Sequence, residues 1–231
     1  MSDSQPDQPP WPGGEPPSLP PPPQRTGPPW EQGGPALRRF LETTRGVLLE
    51  PATLFATMRR TGGLQAPLTY AVVGVTAGAL ASVIYNFLLS GLTVGVLGGW
   101  GGRPGPLALA YALVVTPIVA ILVAFIGAGI YHAMLLLLDG ARYPFETTFR
   151  VQAYAMGSTA LLSFVPFCGN AIGAVWGIVS TIVGLAGTHE ISTGKAAAAV
   201  LIPIIVCCFV VSALALFLGL SVLALIGASR G

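Results

Sequence analysis

Charge is what this chain has least of. Acidic and basic residues together make up 9% of its 231 residues, against about a quarter in an ordinary soluble domain. The basic residues are ten arginines and one lysine, with a formal net charge of +2, too few and too spread out for a nucleic-acid surface. Histidine occurs twice and cysteine three times. None of the cysteines has metal-ligand spacing: Cys207 and Cys208 adjoin within an apolar run, and Cys168 stands alone. Neighbouring residues of a helix point about 100° apart, so the thiols are expected to be buried small hydrophobes rather than a disulfide. The phosphate-cradling patterns G-x-x-x-x-G-K-[ST] and G-x-G-x-x-G are missing, and Gly157-Ser158-Thr159 is no nucleophile elbow because residue 160 is alanine. Outside the N-terminus and short loops there is no polar material for a soluble catalytic domain. No enzyme activity, metal or cofactor is expected.

Apolar length is what the chain has instead: 53% of its residues are hydrophobic and the mean hydropathy is +0.73. Between Arg150 and His189 lie 38 residues without an ionisable charge, far more than the roughly 20 that cross a bilayer once. That run must fold back. Its strong breaker is Pro166-Phe167-Cys168-Gly169-Asn170, where proline lacks an N–H and glycine and asparagine suit a reversal. A membrane hairpin with arms at about 149–166 and 170–187 is therefore predicted.

Residues 1–35 contain 13 prolines and five glycines. They bury too little to offset ordering, and are expected to form a disordered cytoplasmic tail of polyproline II character. No basic region followed by an apolar core opens the chain, so no cleaved leader is expected. From Ala36 to Glu50, Leu37, Phe40, Leu41, Thr44, Val47 and Leu48 share one helical arc, and Arg38, Arg39, Glu42 and Arg45 the other. This predicts an amphipathic helix in the membrane interface with its arginines toward anionic headgroups. Pro51 opens a second short helix, which Gly62-Gly63 ends. Residues 36–62 thus precede a five-span domain over 63–231.

The further spans are predicted at 67–90, at 107–138 as one long helix kinked by Pro117, and at 197–228. The glycine-rich stretch around Trp100 reads as an aqueous loop. Small residues four apart admit close helix packing, which nominates Gly74 with Gly78 and Gly173 with Gly177; Gly127 and Gly129 are also expected to give close packing. Counting basic residues near span ends, Arg59, Arg60, Arg142, Arg150 and Lys195 fall on one side, and Arg103 and Arg230 on the other. That bias places the N-terminus in the cytoplasm.

Phe145, Thr148 to Val151, Ala153-Tyr154, Pro166, Gly169, Trp176, Gly184-Leu185, His189, Ile191-Ser192 and Lys195-Ala196, with Leu49-Glu50-Pro51, Phe55 and Pro67-Leu68 upstream, form a scattered pattern over about Leu49 to Pro203. In these positions the chain resembles the bacterial branch of the Yip1-domain family of multispanning membrane proteins. The resemblance implies an all-α integral membrane fold and nominates Arg150, Tyr154, Pro166, Gly169, Trp176, His189 and Lys195 as signature or interaction residues. The acidic Gly-Pro-containing stretch that eukaryotic relatives associate with Rab GTPase traffic has no counterpart here, so an adaptor role in trafficking is not implied.

An intramembrane ionisable group is a functional candidate by default, and His132 is the one clearly within a predicted span. With Asp139, His189 and Glu190 it could form a metal or proton site at the cytosolic end, although compact ligand motifs are missing. The competing account is structural: His132 bonds between helices, and His189 ends one. Arg150 and Tyr154, one turn apart, make a basic and aromatic face suited to headgroups or a partner loop, while Glu146 with Arg150 would be a weak helix-surface pair. The apolar mid-span residues favour a membrane scaffold acting through helix packing, interfacial helices and cytosolic loops, on a membrane partner, on its own copies or on the bilayer. The alternative is a small transporter, channel or lipid-translocating protein using the 150–195 hairpin and the His132 region. A composition rich in Ala, Gly, Pro and Arg points to a GC-rich bacterial genome and hence the cell membrane.

Overall fold

Pro51 shows how the local sequence sets the first elements. A helix interior cannot hold it, so it takes the first position of a new helix, and the chain bends between α1 (Ala36–Leu49) and α2 (Pro51–Thr57). The computed structural model describes residues 25–96 and 105–228. The tail before Arg25, the loop around Trp100 and Arg103, and Arg230 lie outside them. Six further helices follow: α3 (Gln65–Val96), α4 (Pro106–Ala110), α5 (Thr116–Leu137), α6 (Phe145–Ala160), α7 (Gly169–His189) and α8 (Thr193–Ala228). No strand occurs among the described residues.

Among the described residues, four segments are long and apolar enough to cross a membrane: Gln65–Leu89, Pro106–Leu137, Gly169–His189 and Thr193–Gly219. The run predicted at 107–138 is thus one helix, with α4 and α5 joined by a π-helical stretch, Tyr111–Val115. Pro117 has no N–H for the carbonyl a turn before it, and the widened turn just ahead of it absorbs the missing bond. The first arm of the predicted hairpin differs from expectation. It begins at Phe145, is α-helical for 16 residues, and ends in a 3-10 turn over Leu161–Phe164. Alone among the helices of the bundle, α6 is mostly buried along its length and carries buried Thr147, Thr148, Arg150, Ser158 and Thr159. It is the central helix, shielded by α3, α5 and α7, so its polarity is hidden from lipid. Its apolar content therefore need not be high.

Contacts along α6 fix the directions. Gly74 and Gly78 of α3 face Gly157 and Ala160, so α3 and α6 run parallel. Phe125 meets Phe149 and His132 meets Phe145, so α5 runs antiparallel. Gly173 meets Thr159 and Gly184 meets Val151, so α7 does too. The starts of α3, α6 and α8 and the ends of α5 and α7 thus share one end of the bundle, called here the near end. The hairpin reversal lies at the far end, where Phe167 has φ +65° and Gly169 lies against the Leu162 carbonyl.

The near end is capped. Phe40 and Val47 of α1, Leu54 and Phe55 of α2 and Met58 just after it join Tyr70, Leu135, Tyr154, Leu185 and Val200 in one buried cluster. The apolar arc of α1 therefore divides, correcting the expectation that all of it meets lipid. Phe40, Thr44 and Val47 face protein, and Leu37 and Leu41 stay exposed beside Arg38 and Arg45. Trp30 and Glu31, from the stretch before residue 35, are laid across this cap. The three cysteines are free but exposed, not buried.

The nominated glycines are not equivalent. A Cβ on Gly74 or Gly78 would run into the backbone of α6, whereas on Gly177 it would meet the Thr159 hydroxyl at 3.3 Å, and on Gly129 nothing within 4 Å. Gly127 faces the Gln152 amide at 3.1 Å. Gly74→Leu should accordingly cost at least about 1–3 kcal/mol through overpacking, Gly177→Leu less, and Gly129→Leu nothing. Unfolding in detergent micelles checks the order, and equal stability of all three variants would detach these glycines from packing.

Candidate functional site

Arg150 is fully buried one turn into α6, where a guanidinium cannot be left without partners. Its Nε donates to the Arg59 carbonyl at 2.8 Å and its Nη1 to the Gly63 carbonyl at 3.0 Å. Its Nη2 forms an ion pair with the Glu31 carboxylate, itself almost wholly buried. The Tyr154 hydroxyl, one turn further along α6, donates to the same Glu31 oxygen at 2.5 Å. Glu146 is 3.7 Å from Nη1 and accepts the Gly63 N–H at 2.7 Å. The expected headgroup-facing surface of Arg150 and Tyr154, and the alternative surface pair of Arg150 with Glu146, are thus replaced by an interior site whose main anion comes from the N-terminal segment.

That segment is held by more than its carboxylate. The Trp30 N–H donates to the Thr43 hydroxyl at 2.8 Å, and its indole N–H to the Ala66 carbonyl at 2.8 Å. The ring meets Phe40 and Tyr70 edge-on, with centroids 6.0 and 5.6 Å apart. Tyr70 in turn hydrogen-bonds the hydroxyls of Thr44, 2.8 Å away, and Ser158, 2.7 Å away, tying α1, α3 and α6 together.

Beside this site His132 and His189 meet through one hydroxyl. Thr148 Oγ1 is 2.9 Å from His132 Nδ1 and 3.0 Å from His189 Nε2. The Tyr143 backbone N–H, which can only donate, points to His189 Nδ1 at 3.4 Å. Nε2 of His189 is then the donor to Thr148, and Thr148 donates to His132. The rings are 6.2 Å apart. Asp139 and Glu190 do not join them, and no group of three metal-ligating side chains occurs among the described residues. Glu190 instead pairs with Arg60 and, at 3.2 Å, with Arg25, and accepts the Tyr143 hydroxyl at 3.2 Å. The Arg60 bond, more than the Tyr143 one, holds its carboxyl below the usual carboxylate range.

Of the signature residues, Arg150, Tyr154 and His189 come together at the near end. Lys195 is exposed there, its ammonium 3.4 Å from the Asp139 carbonyl. Pro166 and Gly169 lie at the opposite end, and Trp176 sits between, half-buried, its indole N–H without a partner among the described residues. Sequence reasoning missed Trp30 and Glu31, and with them Tyr70, Thr148 and Arg60. The available signal was an aromatic and an acid side by side where the proline-rich stretch ends.

A family model described as the Yip1 domain matches residues 45–226. No curated protein and no solved structure matches the chain. Trp30 and Glu31 precede the matched segment.

Thr148→Val should cost about 2 kcal/mol or more, because it leaves the buried His189 Nε2 and the half-buried His132 Nδ1 without their partner. Thr147→Val, which loses a single 3.0 Å bond to the Arg60 carbonyl, should cost about 1 kcal/mol. Unfolding in mixed micelles checks this, and equal losses would deny Thr148 its bridging role. A second expectation concerns acid. Since the folded-state pKa of Glu190 is lowered, its contribution is present above the ordinary carboxylate range and fades as pH falls through the lowered value. Glu190→Gln should therefore flatten the acid side of the stability profile; an unaltered profile would remove Glu190 from the account.

Proposed function

Because the chain belongs to the Yip1-domain family, we propose that it is a non-enzymatic membrane organiser with five crossings and a cytoplasmic near end, resident in a bacterial cell membrane. The four long apolar helices are joined by α6, which with its 3-10 turn is 20 residues long and runs between the same two ends. The observation that carries the reading is the division of polar groups. Exposed Arg38, Arg45, Arg59, Arg142 and Lys195 gather at the capped end, while the flanks of α3, α5 and α8 present Phe87, Ile126 and Phe209 outward. Leu37 and Leu41 of α1 suit insertion among acyl chains, with the adjacent arginines at headgroup level. The near end then has the makings of a surface for anionic lipid and for a membrane partner. Arg150, buried and paired, does not belong to that surface.

A second reading, lipid translocation, draws on one feature. A membrane-facing cleft of about 360 Å³ lies between α5 and α7. Its floor on α6 carries Met156 and Thr159, with Thr116 and Asn170 at its rim.

Reporter fusions after Trp100, Gly140, Gly169, Gly194 and Gly231 should read outside, inside, outside, inside, outside; an inside reading at Gly231 would end the five-crossing arrangement. Complementation of a deletion strain separates the two functions. Arg45→Ala with Arg142→Ala and Lys195→Ala should impair activity at unchanged protein level, and Thr159→Val with His132→Ala should impair it less. The reverse order would transfer the function to the cleft and the His132 region.

A further inference from the structure

The site around Arg150 is split between two parts of the chain. The groups that receive come from residues 39–154: the Arg150 Nη2 and Tyr154 hydroxyl donors, the Arg39 guanidinium, which donates to the Trp30 carbonyl at 2.9 Å and lies over its ring, the Thr43 hydroxyl, the Ala66 and Thr57 carbonyls, and the ring edges of Phe40 and Tyr70. Everything received comes from Gly27 to Glu31, a segment with a single 3-10 turn as its regular structure. A peptide needs few fixed groups to be recognised this way: a backbone N–H, an aromatic ring with its N–H, and one carboxylate. Pro28 and Pro29 restrict the chain before the aromatic, so little conformational freedom is lost on seating. The link to α1 is thin. Gln32 to Pro35 are exposed, Gly33 and Gly34 have nothing within 4 Å of a Cβ position, and the link is held at Gln32, whose carbonyl accepts from Arg39 at 2.8 Å and whose amide donates to the Gly27 carbonyl at 2.8 Å.

We propose that the Arg150–Tyr154 pocket and the adjoining Trp30 groove form a peptide-binding site, filled in cis by Trp30-Glu31 and open to a partner protein's segment with an aromatic residue followed by a carboxylate. The chemistry of the resident segment identifies the occupant. A buried guanidinium beside a phenol hydroxyl, both aimed at one oxygen, recognises an anion. The groove next to it, between Phe40 and Tyr70, recognises a ring, and the threonine hydroxyl and backbone carbonyls recognise peptide N–H groups. A lipid phosphate would satisfy the first of these alone. The cis segment then acts as a competitor: a partner gains the site when its own aromatic–acidic segment is held at a local concentration exceeding that of the tether. This site goes beyond the organiser reading and is measured on the purified chain, so the outcome of complementation does not decide it.

The test uses the full chain with a protease recognition sequence replacing residues 32–35, cut after folding in nanodiscs. A labelled peptide of residues 25–35 should displace the severed segment and bind saturably. Peptides bearing Glu31→Gln or Trp30→Ala should bind at least tenfold more weakly, and Tyr154→Phe in the protein should weaken the parent peptide more than the Glu31→Gln peptide. In parallel, the Trp30→Ala/Glu31→Ala double variant should melt at lower temperature and recover with the parent peptide. The uncut protein should bind much less peptide, because its own segment competes. Binding insensitive to the Glu31→Gln change, or a severed segment that excess peptide does not displace, would overturn the proposal. So would orthophosphate raising the melting temperature of the double variant as far as the peptide does, since that would make the site a phosphate site for headgroups. If the double variant does not fold, the cut protein carries the test alone.

Discussion

A guanidinium with no solvent exposure must be neutralised and its N–H groups bonded, or the fold that buries it is lost. Arg150 meets that demand with partners from three places: the carboxylate of Glu31, the carbonyls of Arg59 and Gly63, and Glu146 on its own helix. Each partner immobilises a segment with little packing of its own. Glu31 fixes the chain before α1, and the two carbonyls fix the link between α2 and α3. The Gly63 N–H, bound to Glu146, closes the loop around the same point. The near end is ordered around one charge.

That charge is tolerable because of where α6 lies. Three apolar helices surround it, and they come close through glycine: Gly74 and Gly78 from α3, Gly173 from α7. Close approach removes water and lipid from around the polar residues of α6, so Ser158, Thr159 and Thr148 find their partners within the bundle. Buried hydrogen bonds of this kind contribute modestly when made and cost more when left unmade. They select this arrangement of helices over others that would bury the same apolar area. The Tyr70 hydroxyl, shared between Thr44 and Ser158, extends that selection to the cap.

The same geometry separates surface from interior in a way that bears on function. Arg150 would count as a surface cation by position alone, yet its charge is neutralised internally by Glu31. The cations presented outward are those of α1, the Arg59 region and the loops at Arg142 and Lys195. The near end therefore combines an exterior with exposed basic groups and an interior seat held by a short aromatic–acidic segment. The hairpin reversal at the opposite end owes its form to Phe167 and Gly169, where local backbone geometry suffices.

Charge scarcity and apolar run length determined by themselves that this is an integral membrane protein, and the breaker at Pro166–Asn170 placed the reversal to within a residue or two of the start of α7. Both are local: a run too long to cross once must turn, and proline with glycine says where. The matching positions of the Yip1 pattern were equally legible, since residue identities carry them. What the sequence could not rank was which polar residues lie inside. Hydropathy assumes that a membrane helix faces lipid, and α6 faces other helices, so the predicted arm began at residue 149 rather than at Phe145 and its Arg150 was assigned to the surface. Nor could composition reveal that residues 25–32 are ordered, because proline-rich chain orders only when something distant receives it. Glu31 and Arg150 are separated by 119 residues. Only the tertiary structure brings such groups together, because the energy that fixes them is that of a buried charge finding its partner, and neither residue carries that information alone.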